Sequence, residues 1–376
     1  MKRIQLDTIK KDLKEKIVFL VGPRQVGKTW LAKEIAKSYV KPLYLSYDLA
    51  KDREIIKETF WPTGTDLIIF DEIHKMRGWK NYLKGVYDTK PEDIDILVTG
   101  SARLDSYKNA GDSLAGRYRV HHLLPISYHE LNYVGLANKE SIINLMKRGG
   151  FPEPFLAKSD KEANVWRRFY SESLIREDVV DFKDIDNFKA IKQVFELLKT
   201  KVGSPISYAS IATDVGISPK TVKNYISILE SLYIVFLVRP FTKKVNRSIL
   251  KEAKVYFYDT GLAQGDEGII FENMVAISLL KHAYASSDET GKNMILATIR
   301  NKERKEVDFV LVEDGEAKEM IEVKLKDSSL STSLAYFVER NNIKGVQIVR
   351  DLRHGRKISN KIQILHVEEY LESLRV

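Results

Sequence analysis

The stretch FLVGPRQVGKTWLAKEIA, Phe19 to Ala36, decides how the first third of the chain is read. KIVFLV, Lys16 to Val21, is an unbroken apolar run of the kind that forms a strand buried on both faces. TWLAKEIAKSY then repeats its apolar positions at helical spacing, with Leu31, Ile35 and Tyr39 on one stripe. Between the two lies Gly22-x-x-x-x-Gly27-Lys28-Thr29, a glycine-bounded turn from strand to helix. Glycines at both ends let the backbone amides turn inward, and the helix N-terminus adds partial positive charge at the same point. The pattern predicts a cradle for a nucleotide triphosphate. The loop from Gly22 through Pro23, Arg24, Gln25, Val26 and Gly27 to Lys28, Thr29 and Trp30 is expected to wrap the phosphates. Lys28 would bridge the terminal phosphates and the Thr29 hydroxyl would hold Mg²⁺.

A second motif, DLIIFDEIH (Asp66 to His74), is an apolar strand that ends in two carboxylates, Asp71 and Glu72. Ligands gather at the carboxyl ends of strands in parallel sheets. Asp71 is therefore the expected Mg²⁺ partner, and Glu72 the group that polarises an attacking water. A third strand, DIDILVTGSA (Asp93 to Ala102), ends in Thr99, Gly100 and Ser101, polar groups able to sense the γ-phosphate. Arg117, in SLAGRYRVHHLLPIS, is the candidate for an arginine that a neighbouring subunit supplies to the transition state.

With 376 residues the chain is long enough for two or three domains. Its 44% hydrophobic and 30% charged content predicts folding throughout. The absence of cysteine excludes disulfides, thiolate metal sites and a cysteine nucleophile. The longest apolar run, LYIVFLV from Leu232 to Val238, is too short to span a bilayer, and the charged N-terminus lacks a signal-peptide core. A cytoplasmic location without membrane association is expected. A formal net charge of +9 favours a polyanionic partner.

GPRQVGKT, LIIFDEIH, ILVTGSA and SLAGRY follow one another in an order that resembles an archaeal and bacterial group of AAA+ ATPases. In that group a C-terminal domain of unknown function with a restriction-endonuclease-like fold follows the ATPase. GGFPEPF (Gly149 to Phe155), LIREDVVDF (Leu174 to Phe182) and KVYFYDTGL (Lys254 to Leu262) extend the resemblance over nearly the whole chain. It implies an ATP site at Gly22, Gly27, Lys28, Thr29, Asp71 and Glu72, with Ser101 near the sensor position.

The expected architecture is α/β in four parts. A parallel-sheet P-loop AAA+ core covers residues 1–135 and a helical lid 136–195, where Arg167 or Arg168 could reach the phosphates. A winged helix-turn-helix follows over 196–253. In ISYASIATDVGISPKTVKNYISILE, Gly216 makes the turn, Ser218 caps the second helix and Pro219 opens it. Val222, Ile226, Leu229 and Leu232 form its core stripe, leaving Lys220, Lys223 and Asn224 outside. Those three, with Lys243, Lys244 and Arg247 on a basic turn, are the expected DNA contacts. Such modules also bind proteins or act as lids.

Residues 254–376 resemble the PD-(D/E)xK nuclease fold. Glu322 and Lys324 are two apart on one strand and so share a face. Asp308 on the preceding strand could join Glu322 in ligating Mg²⁺, with Lys324 activating water and Glu272 as a further ligand. Val307 stands where that motif has proline. The set supports either phosphodiester cleavage or a remnant that only binds DNA. Three functions stay open: Mg²⁺-dependent ATP hydrolysis coupled to DNA binding or remodelling, an ATP-driven switch acting on a protein partner, and a chaperone-like unfoldase, for which the sequence offers no identifiable threading loop. A homo-oligomer, a hexamer among the options, is expected in each case.

Overall fold

The computed structural model describes residues 1–100, 114–175, 187–242, 252–303, 305–326 and 329–375. The chain divides into two compact units, Met1–Leu124 and Pro125–Val376.

The first unit is a parallel α/β sheet. After helix α1 (Leu6–Leu13) come β1 (Ile17–Val21), α2 (Lys28–Ala36), β2 (Pro42–Ser46), α3 (Ala50–Glu58), β3 (Leu67–Asp71), α4 (Trp79–Thr89), β4 (Asp95–Thr99) and β5 (Tyr118–His122). The strands lie in the order β2-β3-β4-β1-β5, every adjacent pair parallel. Strand β1, expected to be buried on both faces, is wholly buried along its length. Phe19, Phe70, Ile68, Val98 and Leu83 belong to one apolar cluster, in which each fully buried large side chain is worth roughly 1.5–3 kcal/mol. Because all strands run the same way, their carboxyl ends meet on one edge. Register places Asp71 beside Thr99, and β1 enters the glycine loop next to them.

The second unit begins with helices α5 (Tyr128–Tyr133), α6 (Ser141–Arg148), α7 (Pro152–Phe155), α8 (Asp160–Ser173) and α9 (Phe188–Lys199). Helices α10 (Tyr208–Val215) and α11 (Pro219–Ser231) follow, joined by a turn at Gly216, which adopts a left-handed φ of 75°. The Ser218 hydroxyl accepts the Thr221 amide at 3.1 Å, with Pro219 in the first turn. Val222, Ile226, Leu229 and Leu232 are buried, and Lys220, Lys223 and Asn224 are exposed. The periodicity of that helix was thus legible residue by residue.

Strands β6 (Val235–Pro240) and β7 (Lys254–Phe257) pair antiparallel. Beyond them come α12 (Glu267–Thr290), β8 (Met294–Arg300), β9 (Glu306–Glu313), β10 (Glu316–Lys326), α13 (Thr332–Asn341), β11 (Lys344–Asp351), β12 (Arg356–Lys357), β13 (Ile362–His366) and α14 (Val367–Glu372). These strands form one sheet in the order β12-β13-β11-β10-β9-β8-β6-β7. Strands β6 and β7 therefore belong to the same sheet as the C-terminal strands, joined to it where Arg239 and Pro240 pair with Ala297 and Thr298. Helix α12 packs against β7, β8 and β10, and Asn273, fully buried, exchanges two hydrogen bonds with the Phe257 backbone at 2.8 and 3.0 Å. That clamp brings the first turns of α12 alongside β7.

Candidate active site

The glycine loop is shaped by contacts that only glycine permits at its entry. Gly22 has φ +148°, and a Cβ there would lie 2.1 Å from the Leu123 carbonyl oxygen. Gly27, at φ 102°, precedes the first turn of α2. Arg3, which the sequence reading overlooked, is buried beneath the loop and donates to the Val26 carbonyl at 3.0 Å and to the Leu124 carbonyl at 2.5 Å. An arginine near a chain start looks like surface charge until folding buries it. Lys28 is buried, its ammonium donating to the Gly22 and Pro23 carbonyls at 2.9 and 2.6 Å, so it already points into the loop. Thr29 and Trp30 are exposed at the mouth.

Asp71 is held from two sides. The Thr99 hydroxyl donates to its Oδ1 at 2.5 Å, and the Tyr44 hydroxyl donates to its Oδ2. Tyr44 also shares a hydrogen bond with Thr29, and burial pushes its own pKa up. Tyr44 thus bridges the two residues expected to hold Mg²⁺. It was missed because a tyrosine in PLYLS reads as ordinary strand packing.

Glu72 occupies a left-handed backbone conformation, φ 56°, with its amide bonded to the Thr99 carbonyl at 2.9 Å. Non-glycine residues rarely sit there, and such positions concentrate at functional sites. Its carboxylate is 19% exposed, lies 3.5 Å from the His74 imidazole and 3.9 Å from the Lys75 ammonium, and one oxygen makes no hydrogen bond. Burial first, then the Asp71 charge, raises its pKa against the lowering pull of Lys75, Lys28 and Arg24. A largely buried carboxylate tuned upward suits a proton acceptor.

The donor chemistry fits a hard cation: a hydroxyl (Thr29) and a carboxylate (Asp71) at the end of the loop, both oxygen ligands, tied together through Tyr44. Thr99 takes the position beside Asp71; Ser101 lies outside the described residues. Arg117 stands at the other end of the sheet, its carbonyl bonded to the first residue of β1 and its guanidinium paired with Asp88 at 2.8 Å. Five strand residues, about 16 Å, separate that end from the glycine loop, so Arg117 cannot serve the site of its own chain. Arg119 pairs with Asp12 and Glu15.

In the second unit, Arg167 is buried and makes an ion pair with Asp259 at 2.7 Å, with further bonds to Asn164 and the Arg148 carbonyl. Its guanidinium is committed to this pair, while Arg168 is exposed. A Cβ on Gly149 would lie 2.0 Å from Asp259, and one on Gly261 2.0 Å from Arg167. GGFPEPF and KVYFYDTGL, far apart in sequence, therefore supply the glycines that let this pair close.

The C-terminal residues converge as expected, with an addition. Glu272, Asp308 and Glu322 face one region, and Lys324 pairs with Glu322 at 2.7 Å. Lys254, not singled out beforehand, enters from β7. Its ammonium stands 2.6 Å from Glu306, 3.6 Å from Glu272 and 3.7 Å from Asp308, and its side chain is 6% exposed. Among the described residues no group of three or more His, Cys, Asp or Glu is arranged to hold a metal. Asp308 and Glu322, the expected Mg²⁺ ligands, each face a lysine: Lys254 lies 3.7 Å from Asp308 and Lys324 2.7 Å from Glu322. Lys243, Lys244 and Arg247 lie outside the described residues. No described helix is long and apolar enough to cross a membrane.

Comparison with known proteins agrees with the loop and its neighbours. Three family models match in succession: an AAA domain over residues 14–132, a domain of unknown function (DUF8612) over 139–267 and a second (DUF4143) over 267–370. The uncharacterized protein MJ1544 of Methanocaldococcus jannaschii is 26% identical over 356 residues, 86% of this chain and 77% of its own. MJ1637 of the same organism is 24% identical over 419 residues, 94% of this chain and 86% of its own. Among solved structures, the Walker-type ATPase PABY2304 of Pyrococcus abyssi aligns with 71% of this chain and 94% of its own, at 14% identity and a TM-score of 0.44. Residues 14–132 are accordingly similar to AAA domains. The rest of the chain is similar to domains without an assigned activity.

Proposed function

We propose that the chain hydrolyses ATP at the P-loop and couples turnover to binding or remodelling of nucleic acid. The arrangement of Lys28, Thr29, Asp71, Thr99 and Glu72 around one strand edge carries the first half. Lys28 and the loop amides hold the terminal phosphates, and Thr29 with Asp71 would hold Mg²⁺, which neutralises phosphate charge when bound. Asp71 is fixed by Thr99 and Tyr44, so its carboxylate is pre-aimed. Glu72 accepts a proton from the attacking water, its backbone held in the left-handed region directly after Asp71. Arg117 would act only on the site of another copy, within a homo-oligomer.

The second half is supported by the net charge of +9 and by Lys220, Lys223 and Asn224, exposed in the first two turns of α11. We read α10, α11 and the β6–β7 pair as a winged helix whose second helix presents these side chains to a DNA groove. Phosphate contacts there would make affinity fall with salt, by roughly 0.9 in log-log slope per phosphate.

ATPase turnover measured with no nucleic acid, duplex DNA, single-stranded DNA and RNA tests both halves. Hydrolysis abolished by Lys28→Ala and stimulated by one of the nucleic acids is expected. Hydrolysis without stimulation, and without salt-dependent binding, would replace the nucleic-acid reading by that of a switch acting on a protein.

A further inference from the structure

The C-terminal carboxylates have the residue types of a divalent-cation nuclease, yet several of their oxygens are turned to other partners. Asp308 Oδ2 accepts the Val323 amide at 2.9 Å, and Oδ1 faces Lys254. Glu272 Oε1 accepts the Tyr256 hydroxyl at 2.6 Å and also faces Lys254. Glu306 takes the Lys254 ammonium on one oxygen, and its other lies 3.7 Å from Arg300. Glu322 gives one oxygen to Lys324 at 2.7 Å, and its second oxygen is buried.

We infer that Lys254 is the built-in cation of this cluster, standing where a divalent metal would otherwise bind, and that the C-terminal module works without one. The inference is independent of the ATPase reading. Hard cations such as Mg²⁺ need several oxygens at about 2.1 Å in near-octahedral array. A divalent ion drawn in by Glu272 and Asp308 would have to share their oxygens with an ammonium that already lies within 3.7 Å of both. Like charges in a buried, low-dielectric setting repel strongly, so one of the two must leave. Lys254 cannot easily leave. Its side chain is almost fully buried, β7 is clamped to α12 through Asn273, and Pro205 bridges the Lys254 backbone. Gly203 closes over Glu272, where a Cβ would come within 3.1 Å of its carboxylate. The second Glu322 oxygen is a single donor and makes no metal site by itself.

Each element has its own reason to be there. Lys254 and Tyr256 alternate on β7 and so project to one face, as do Glu306 and Asp308 on β9. Lys254 thereby ties β7, α12 and β9 with one charge. The Glu306, Glu272 and Asp308 carboxylates, at 2.6, 3.6 and 3.7 Å, favour the ammonium form of this buried lysine.

The test uses full-length protein without nucleotide, measuring Mn²⁺ binding by electron paramagnetic resonance and thermal unfolding with Mn²⁺ or EDTA. Wild type and Lys254→Arg are expected to bind no Mn²⁺ at sub-millimolar concentration and to melt alike in both buffers. Lys254→Met, which keeps the length and removes the charge, should gain Mn²⁺ affinity at least about tenfold and become stabilised by it. Adding Asp308→Asn should abolish that gain. Mn²⁺ binding by wild type that is lost in Asp308→Asn or Glu322→Gln overturns the inference. So does a folded Lys254→Met that binds no more Mn²⁺ than wild type. Should Lys254→Met fail to fold, the wild-type comparison with Asp308→Asn and Glu322→Gln still decides.

Discussion

The hydroxyl of Thr99 donates to Asp71 at 2.5 Å across adjacent parallel strands, in a register that places the two residues side by side. Asp71 cannot rotate away from the glycine loop without breaking this bond and the one from Tyr44. Groups that orient a metal-binding carboxylate typically contribute 10–100-fold to activity or affinity. Thr99→Val should therefore slow ATP turnover by about 10–100-fold while ATP binding persists. Steady-state kinetics beside nucleotide-binding titration checks this, and equal loss of both would show that Thr99 instead supports the loop.

Lys28 and Glu72 separate binding from hydrolysis. Removing the Lys28 ammonium from the loop takes away the charge that meets the phosphates, so Lys28→Ala should lose ATP binding. Glu72→Gln keeps shape and hydrogen bonding but cannot take a proton. It should bind ATP normally and turn it over about 10²–10⁴-fold more slowly. Normal single-turnover rates in Glu72→Gln would move the base elsewhere.

Gly22→Ala places a Cβ 2.1 Å from a backbone oxygen at φ +148°, and neither strand can yield cheaply. A loss of more than about 2 kcal/mol in the stability of the first unit is expected. Calorimetry of the full chain should show the transition of that unit shifted down. Gly78→Ala has a positive φ too, but meets no atom within 4 Å and should cost less.

The Arg167–Asp259 pair is buried on both sides, with side chains 7% and 1% exposed. Arg167→Met leaves a carboxylate without its charge partner and should destabilise the second unit by about 3–5 kcal/mol. Combining it with Asp259→Leu should cost less than the sum of the two single changes. A double-mutant cycle by denaturant unfolding measures this, and strict additivity would deny the coupling.

Glu272 gives the cluster a pH signature. Burial first, then the Asp308 charge, raises its pKa to about 7, against the lowering pull of Lys254 and the Tyr256 hydroxyl. The folded chain thus keeps a proton that the unfolded chain releases near pH 4.5. The stabilising contribution is present below about pH 4.5 and is lost as pH rises through about 7, on the order of 3 kcal/mol in total. Glu272→Gln should lose that slope, so its melting temperature relative to wild type should be higher at pH 7.5 than at pH 5. A constant difference between the two would contradict the shift.

Much of the molecule was legible in its residues because the signals were local. The buried strand, the glycine loop and the helix after it follow from period, turn chemistry and charge within twenty residues. The same holds for the Ser218 cap, the Gly216 turn and the stripe from Val222 to Leu232. Asp71 and Glu72 could be named because a strand end announces itself in sequence.

What folding alone decided depends on pairs far apart in the chain. Tyr44 reaches Asp71 only because β2 lies against β3, and Arg3 supports Val26 only because the chain start is buried under the loop. Gly149 and Gly261 look like ordinary turn residues until Arg167 and Asp259 meet between them. Sequence by itself determined that Glu322 and Lys324 would share a face, since alternation along one strand requires it; Asp308 joins them through the pairing of β9 with β10. Only the fold brings Lys254 to that face. It arrives from a strand more than fifty positions earlier, and the shared sheet and the Asn273 clamp bring its charge within reach of those carboxylates.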